Sequence, residues 1–204
     1  MAPMKTPGSL GIVLVALVLP SCLLQPRPAP SSAPAEAKTT RKSLPIERWQ
    51  VIGGGMLGTA ADQKGSKMAW KLDEGPKKGQ RSLLLEYQMK PGGWCGAWHT
   101  TENVNLAKAN GVRFMARAEP PGTVQFSMTD ANKVSYVAAF QTSKEWTEVR
   151  IPLAALDKNA NFQPPDSVQG KPPDWSRVQS MNFDARTEGE GKIWIGPVQT
   201  DDAE

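Results

Sequence analysis

Cysteine and histidine are nearly absent: the 204 residues hold two Cys and one His. That count excludes a disulfide framework and a structural Cys/His metal site. Aromatic residues are sparse at 7%, yet seven of the fourteen rings are Trp. An excess of one charge is missing too, once the nominal +4 is mapped. Lys5 lies in a leader, and Arg27, Lys38, Arg41 and Lys42 outweigh Glu36 in the segment after it. From Pro45 to Glu204, 19 basic side chains face 19 acidic ones. A neutral body without a basic stripe argues against nucleic acid as a partner. Long apolar runs are also lacking. The longest, Leu10 to Pro20, has eleven residues, about half of what a bilayer-spanning helix needs.

What is present begins with an address. Lys5 followed by that short apolar run has the form of an export signal. The run ends in Leu19-Pro20-Ser21-Cys22, which resembles the lipobox of bacterial lipoproteins, although Pro20 departs from the usual small or aliphatic residue. The resemblance implies residues 1–21 as signal peptide and a lipidated Cys22 as mature N-terminus, with membrane contact through the lipid only. Leu23 rather than Asp after the Cys implies the outer membrane of a bacterial envelope. Residues 22–44 hold four Pro, many Ala, Ser and Thr, and almost no large apolar side chain. Such a composition makes an extended tether and no packed core. The remaining chain, 45–204, is read as one domain.

In that domain the hydrophobic period is two. Leu83, Leu85, Tyr87 and Met89 alternate with Leu84, Glu86 and Gln88. Val112, Phe114 and Ala116 alternate with Arg113, Met115 and Arg117, and Val124, Phe126 and Met128 with Gln125, Ser127 and Thr129. About ten such runs are separated by Gly, Pro and Asn turns such as Pro91-Gly92-Gly93 and Asn110-Gly111. The expectation is an all-β fold, a two-sheet antiparallel β-sandwich, with residues 159–173 crossing one end. Only Pro152 to Leu156 reads as a helical turn.

One motif misleads. Gly53, Gly55 and Gly58 satisfy G-x-G-x-x-G, and Asp73 follows at the dinucleotide-site spacing. The third glycine should open a helix able to cover a parallel sheet. Thr59 to Ser66 has no large apolar residue with which to do so, so the segment reads as a glycine loop between antiparallel strands. No cofactor is expected.

The order of the remaining motifs resembles the galactose-binding-like jelly rolls. Ile46-Glu47-Arg48-Trp49, Leu83 to Tyr87, Gly93-Trp94-Cys95-Gly96 and Gly111 to Phe114 follow in the pattern's sequence. Trp146-Thr147-Glu148-Val149-Arg150-Ile151-Pro152 is similar to the strand and turn these domains share, and Ile193-Trp194-Ile195 to a closing strand. Two families carry the pattern. Family 11-type carbohydrate-binding modules imply glycan binding on the concave face of one sheet. The complex I intermediate-associated protein family implies an assembly role with an envelope protein as partner. At the end of the last strand the sugar-binding group has an acidic pair that helps to hold calcium, whereas Gly196-Pro197 stands here. Glu47 and Asp184 alone are too few oxygen ligands for a hard cation, and no metal is expected.

Catalytic constellations are thin. Cys95 and His99 lie on one face of a strand but about 13 Å apart along it, too far for a nucleophile and its base. Cys95 is expected as a buried thiol and His99 as a surface or strand-end group. No enzyme is expected. A binding surface is better supplied. Sugars combine apolar C–H faces with dense hydroxyls, so their sites pair aromatic platforms with orienting polar groups. The candidates are Trp94 and Trp98 as platform and Arg113, Arg117, Gln125, Ser127, Asn182 and Asp184 as polar partners for a poly- or oligosaccharide. Trp49, Trp70 and Trp146 are expected in the core or between the sheets, and Trp175 as a loop anchor.

Overall fold

The computed structural model describes residues 45–49 and 56–202; the leader, the tether and Cys22 lie outside them. Among the described residues every strand ladder is antiparallel, in two sheets. The first sheet holds β1 (Pro45–Glu47), β3 (Lys67–Glu74), β4 (Arg81–Met89), β6 (Gly111–Glu119), β9 (Thr147–Pro152), β12 (Gly189–Ile195) and β13 (Val198–Asp201). The second holds β2 (Leu57–Ala61), β5 (Cys95–Val104), β7 (Thr123–Thr129), β8 (Ser135–Gln141), β10 (Asp157–Lys158) and β11 (Val178–Ala185). The two-sheet antiparallel sandwich is the expected architecture.

Alternation supplies the core. Leu83, Leu85, Tyr87 and Met89 from β4, and Val112, Phe114 and Ala116 from β6, are buried against Val124, Phe126 and Met128 from β7 and Met181 and Phe183 from β11. Phe114 is the centre of an aromatic cluster, its ring centroid 5.4–5.8 Å from those of Phe126, Phe140 and Phe183. Each such pair is worth ~0.5–1.5 kcal/mol beyond the area it buries.

Several sequence expectations need correction. Residues 57–61 form no loop: they are β2, paired with β5 from Leu57↔His99 to Ala61↔Cys95. A glycine stands at its second position because Trp98 covers it there; a Cβ on Gly58 would lie 2.5 Å from that indole. The closing strand is interrupted. Gly196 and Pro197 separate β12 from β13, and the Gly196 carbonyl accepts a 2.8 Å bond from Nε1 of Trp49, which is buried as expected. Trp146 leaves the core, half-buried beside Arg117 outside the first sheet. His99 leaves the surface. Its ring is buried edge-on to Trp49, with Nε2 3.5 Å from a Glu47 carboxylate oxygen. Burial pulls its pKa below the ordinary imidazole value against the pull of Glu47.

The Pro152 turn is a short 3-10 segment, Leu153–Ala155. The long segment before β11 is fixed at one end of the second sheet. Buried Asp130 accepts from the backbone N–H of Val134 at 2.8 Å and of Asp174 at 2.9 Å. Gln163 donates to the carbonyls of Ser135 and Asn159, and Trp175 packs on Tyr136 with ring centroids 5.1 Å apart.

Candidate functional site

The second sheet runs β10-β8-β7-β11-β5-β2, and strand pairing draws straight rows of side chains across its outer face. One row is Asp157, Val137, Ser127, Asn182, Trp98 and Gly58, each opposite the next. The neighbouring row is Ala139, Gln125, Asp184, Gly96 and Ala60. Six strands at ~4.8 Å spacing make the first row ~24 Å long. Five of the expected residues therefore share one surface: Trp98, Gln125, Ser127, Asn182 and Asp184. Ser127 is buried there, and the other four are half-buried.

Trp98 lies against the backbone of β2, above Gly58. Trp94, one residue before β5, falls on the same side by alternation and is 46% exposed. Its position is set by Asp62, which the sequence did not single out. The Asp62 carboxylate accepts from the N–H of Trp94 at 2.7 Å, from the Ser66 hydroxyl at 2.7 Å and from the N–H of Lys64 at 2.7 Å. The Ser66 hydroxyl first, and then these backbone donors, bring its pKa down to about 2. A signal was present: Asp-x-Lys-Gly-Ser has the form of an Asx turn.

Asp184 sits mid-surface between Gln125 and Gly96. Its Oδ2 accepts from Gln125 Nε2 at 3.3 Å, and Oδ1 leans over Gly96. Arg186 donates to the other end of the Gln125 amide. Burial pushes the Asp184 carboxyl up to about 6, opposed by Arg186. The group thus changes charge in mildly acid solution, at the centre of a polar face.

Arg113 and Arg117 do not join this surface. Both point outward from β6, in the first sheet, on the opposite side of the sandwich. Alternation places them opposite Phe114 and Ala116, but β6 and β7 belong to different sheets, so their polar faces look away from each other. The Arg117 guanidinium is 3.8 Å from the Trp194 ring centroid and 5.6 Å from that of Trp146. Trp194 donates to Asp73 at 2.8 Å. Arg113 is 3.8 Å from Glu148. These contacts cover their own sheet.

Among the described residues no cluster of three or more His, Cys, Asp or Glu could hold a metal ion. Nor does any helix there have the length and apolarity to cross a membrane. Cys95 is fully buried, its thiol pushed up to about 11 chiefly by burial, and faces the core.

The family model for carbohydrate-binding domain 30 matches residues 41–201. The chain belongs to that family. Its sandwich is also similar to solved carbohydrate-binding modules. A family 11 module of the cellulosomal cellulase Lic26A-Cel5E of Clostridium thermocellum superposes with a TM-score of 0.67 at 14% identity, over 79% of this chain and 95% of the module. A family 11 module of the same organism, in complex with a β-1,3-1,4-mixed-linked tetrasaccharide, gives 0.66 at 16% identity over the same shares. The family 30 module of the cellulosomal cellulase Cel9D-Cel44B, again from Clostridium thermocellum, gives 0.53 at 15%, over 79% of this chain and 99% of the module. At these identities the likeness is one of fold, the jelly-roll sandwich. Comparison with curated proteins finds no match.

Proposed function

We propose that this carbohydrate-binding domain acts without catalysis and holds a glycan on the outer face of the β10-β8-β7-β11-β5-β2 sheet. The observation that carries the reading is the register that places Ser127, Asn182 and Trp98 in one row and Gln125 and Asp184 in the next. A sugar ring laid on the Trp98 indole covers its apolar C–H face at little entropic cost, because the indole is already seated on Gly58. Asn182 and Gln125 offer both donors and acceptors to hydroxyls. Asp184, when ionised, accepts from a hydroxyl in a charge-assisted bond, and Arg186 keeps the Gln125 amide oriented toward it. Trp94 extends the platform beyond Gly96. None of these groups forms a nucleophile–base pair: Cys95 and His99 face the core, away from this surface.

The mixed-linked β-glucan is the first ligand to test, since a module of similar fold binds a tetrasaccharide of it. Affinity electrophoresis through gels containing mixed-linked β-glucan, other soluble β-glucans or mannan tests the reading. Retardation by at least one is expected; free migration in all of them would reject it.

In the same reading Cys22 carries a lipid, residues 22–44 span the distance from the membrane, and the domain is displayed in a bacterial envelope, at the outer membrane. Cys22→Ser should then move the protein from the membrane fraction to the soluble one. Equal membrane association of the two forms would dismiss the anchor.

A further inference from the structure

On the other side of the Trp98 row lies a row of short hydroxyls. Ser135, Thr129, Ser180 and Thr100 stand opposite one another across β8, β7, β11 and β5, and Ser180 donates to Thr129 at 3.1 Å. Met56 continues the row past Thr100, whose N–H donates to its carbonyl at 3.0 Å. At the opposite end the chain climbs over the sheet. Asn159, just after β10, donates its N–H to the Ser135 carbonyl at 2.9 Å, and its side chain points outward beside the Ser135 hydroxyl. Asn159 Oδ1 then accepts from the N–H of Asn161 at 3.0 Å and of Phe162 at 3.2 Å. Gln163 fastens the turn, accepting from the Ser135 N–H at 3.0 Å and donating to the Ser135 and Asn159 carbonyls. Ser135 and Asn159 are buried although they lie on the outer face, because this turn covers them. It makes a ledge over β8, and on it Phe162 is 56% exposed and outside the core.

We propose that Phe162 is a second ring contact for the glycan, resting on the glycan-binding reading, so that the face selects long oligosaccharides over short ones. Phe162 spends no burial on the core, yet its backbone is fixed before any ligand arrives, which lowers the ordering cost of a contact there. The distribution of exposed apolar side chains points the same way. Among the described residues the exposed large hydrophobics are Met56, Trp94, Phe162 and Val168. All four lie around the second sheet: Met56 and Trp94 beside β5, Phe162 over β8, and Val168 bonded to Asn132 in the turn before β8. Exposed apolar groups gathered around one polar face mark a surface that meets a partner. From Trp98 on β5 to the ledge over β8 the ligand crosses three strand spacings, ~14 Å. A disaccharide on Trp98 stops short of the ledge, whereas a longer chain reaches it over the hydroxyls of Asn182, Ser180 and Thr129.

The test is an NMR titration of isotope-labelled protein with the disaccharide and the hexasaccharide of mixed-linked β-glucan. Both should shift the Trp98 indole resonance, and only the hexasaccharide should shift the amides of Asn161 and Phe162. Phe162→Ala should lose about fivefold in hexasaccharide affinity, as for one ring contact, with disaccharide affinity unchanged. Phe162→Leu, apolar without a ring, should lose nearly as much, and Phe162→Trp should keep the native value. Native hexasaccharide affinity in Phe162→Ala or Phe162→Leu, an equal loss for both sugars, or binding of neither while another polysaccharide is retained would each overturn the second contact and leave glycan binding standing. Absence of retention by any polysaccharide would remove the glycan reading as well.

Discussion

The carboxylate of Asp184 occupies the space that a side chain at residue 96 would need. A Cβ on Gly96 would lie 1.9 Å from Asp184 Oδ1 and 2.9 Å from its Cγ. The glycine therefore makes room for an acid pressed onto the neighbouring strand, and Gly96→Ala must displace it. A loss of ~1–3 kcal/mol in unfolding free energy is expected from this overpacking, with weaker glycan retention because the carboxylate leaves its place beside Gln125. Urea denaturation and affinity electrophoresis of the variant measure the two effects.

Asp184 also sets a pH dependence. Burial raises its folded-state pKa to about 6 from 3.8. Between those values the native state keeps a proton that the unfolded state has released, so stability falls as pH rises through this window. The contribution is about 3 kcal/mol, present below pH 4 and absent above pH 6. Asp184→Asn, which cannot ionise, should flatten the unfolding free energy between pH 4 and 7 and exceed the native protein in stability at pH 7. Parallel pH profiles for the two proteins would contradict this.

Asp62 works in the opposite sense. Its folded-state pKa, lowered to about 2 by the Ser66 hydroxyl and the backbone N–H groups it binds, gives stability that is complete above pH 4 and lost as pH falls through 2. Asp62→Asn should unfold less steeply in acid than the native protein. By releasing the Trp94 backbone it should also weaken glycan retention severalfold at neutral pH.

The thiol of Cys95 should be inert. It is fully buried and its pKa is pushed up to about 11, so little thiolate forms at neutral pH. Native protein and Cys95→Ser should release equal amounts of thiol product with a disulfide reagent. A difference of one equivalent should appear only after unfolding.

The alternation of Leu83 to Met89 and of Val112 to Ala116 made the sandwich legible, because period two fixes which side chains of a strand are buried together. It does not say which sheet a strand joins. Arg113 and Gln125 occupy equivalent outward positions, yet β6 and β7 lie in opposite layers, and that assignment depends on pairing over long separations. β2 was hidden for another reason. Gly58 is small because Trp98 needs the space, and a strand defined by what covers it has no hydrophobic pattern of its own. His99 was misplaced although its spacing from Cys95 and Ala97 already set it on their face, which is the buried one.

The surface assignment itself is tested by exchanging one side chain on each layer. Calorimetry with mixed-linked β-glucan should show Trp98→Ala losing at least tenfold in affinity and Arg113→Ala retaining that of the native protein. The reverse result, with affinity lost at Arg113 and kept at Trp98, would place the ligand on the other sheet.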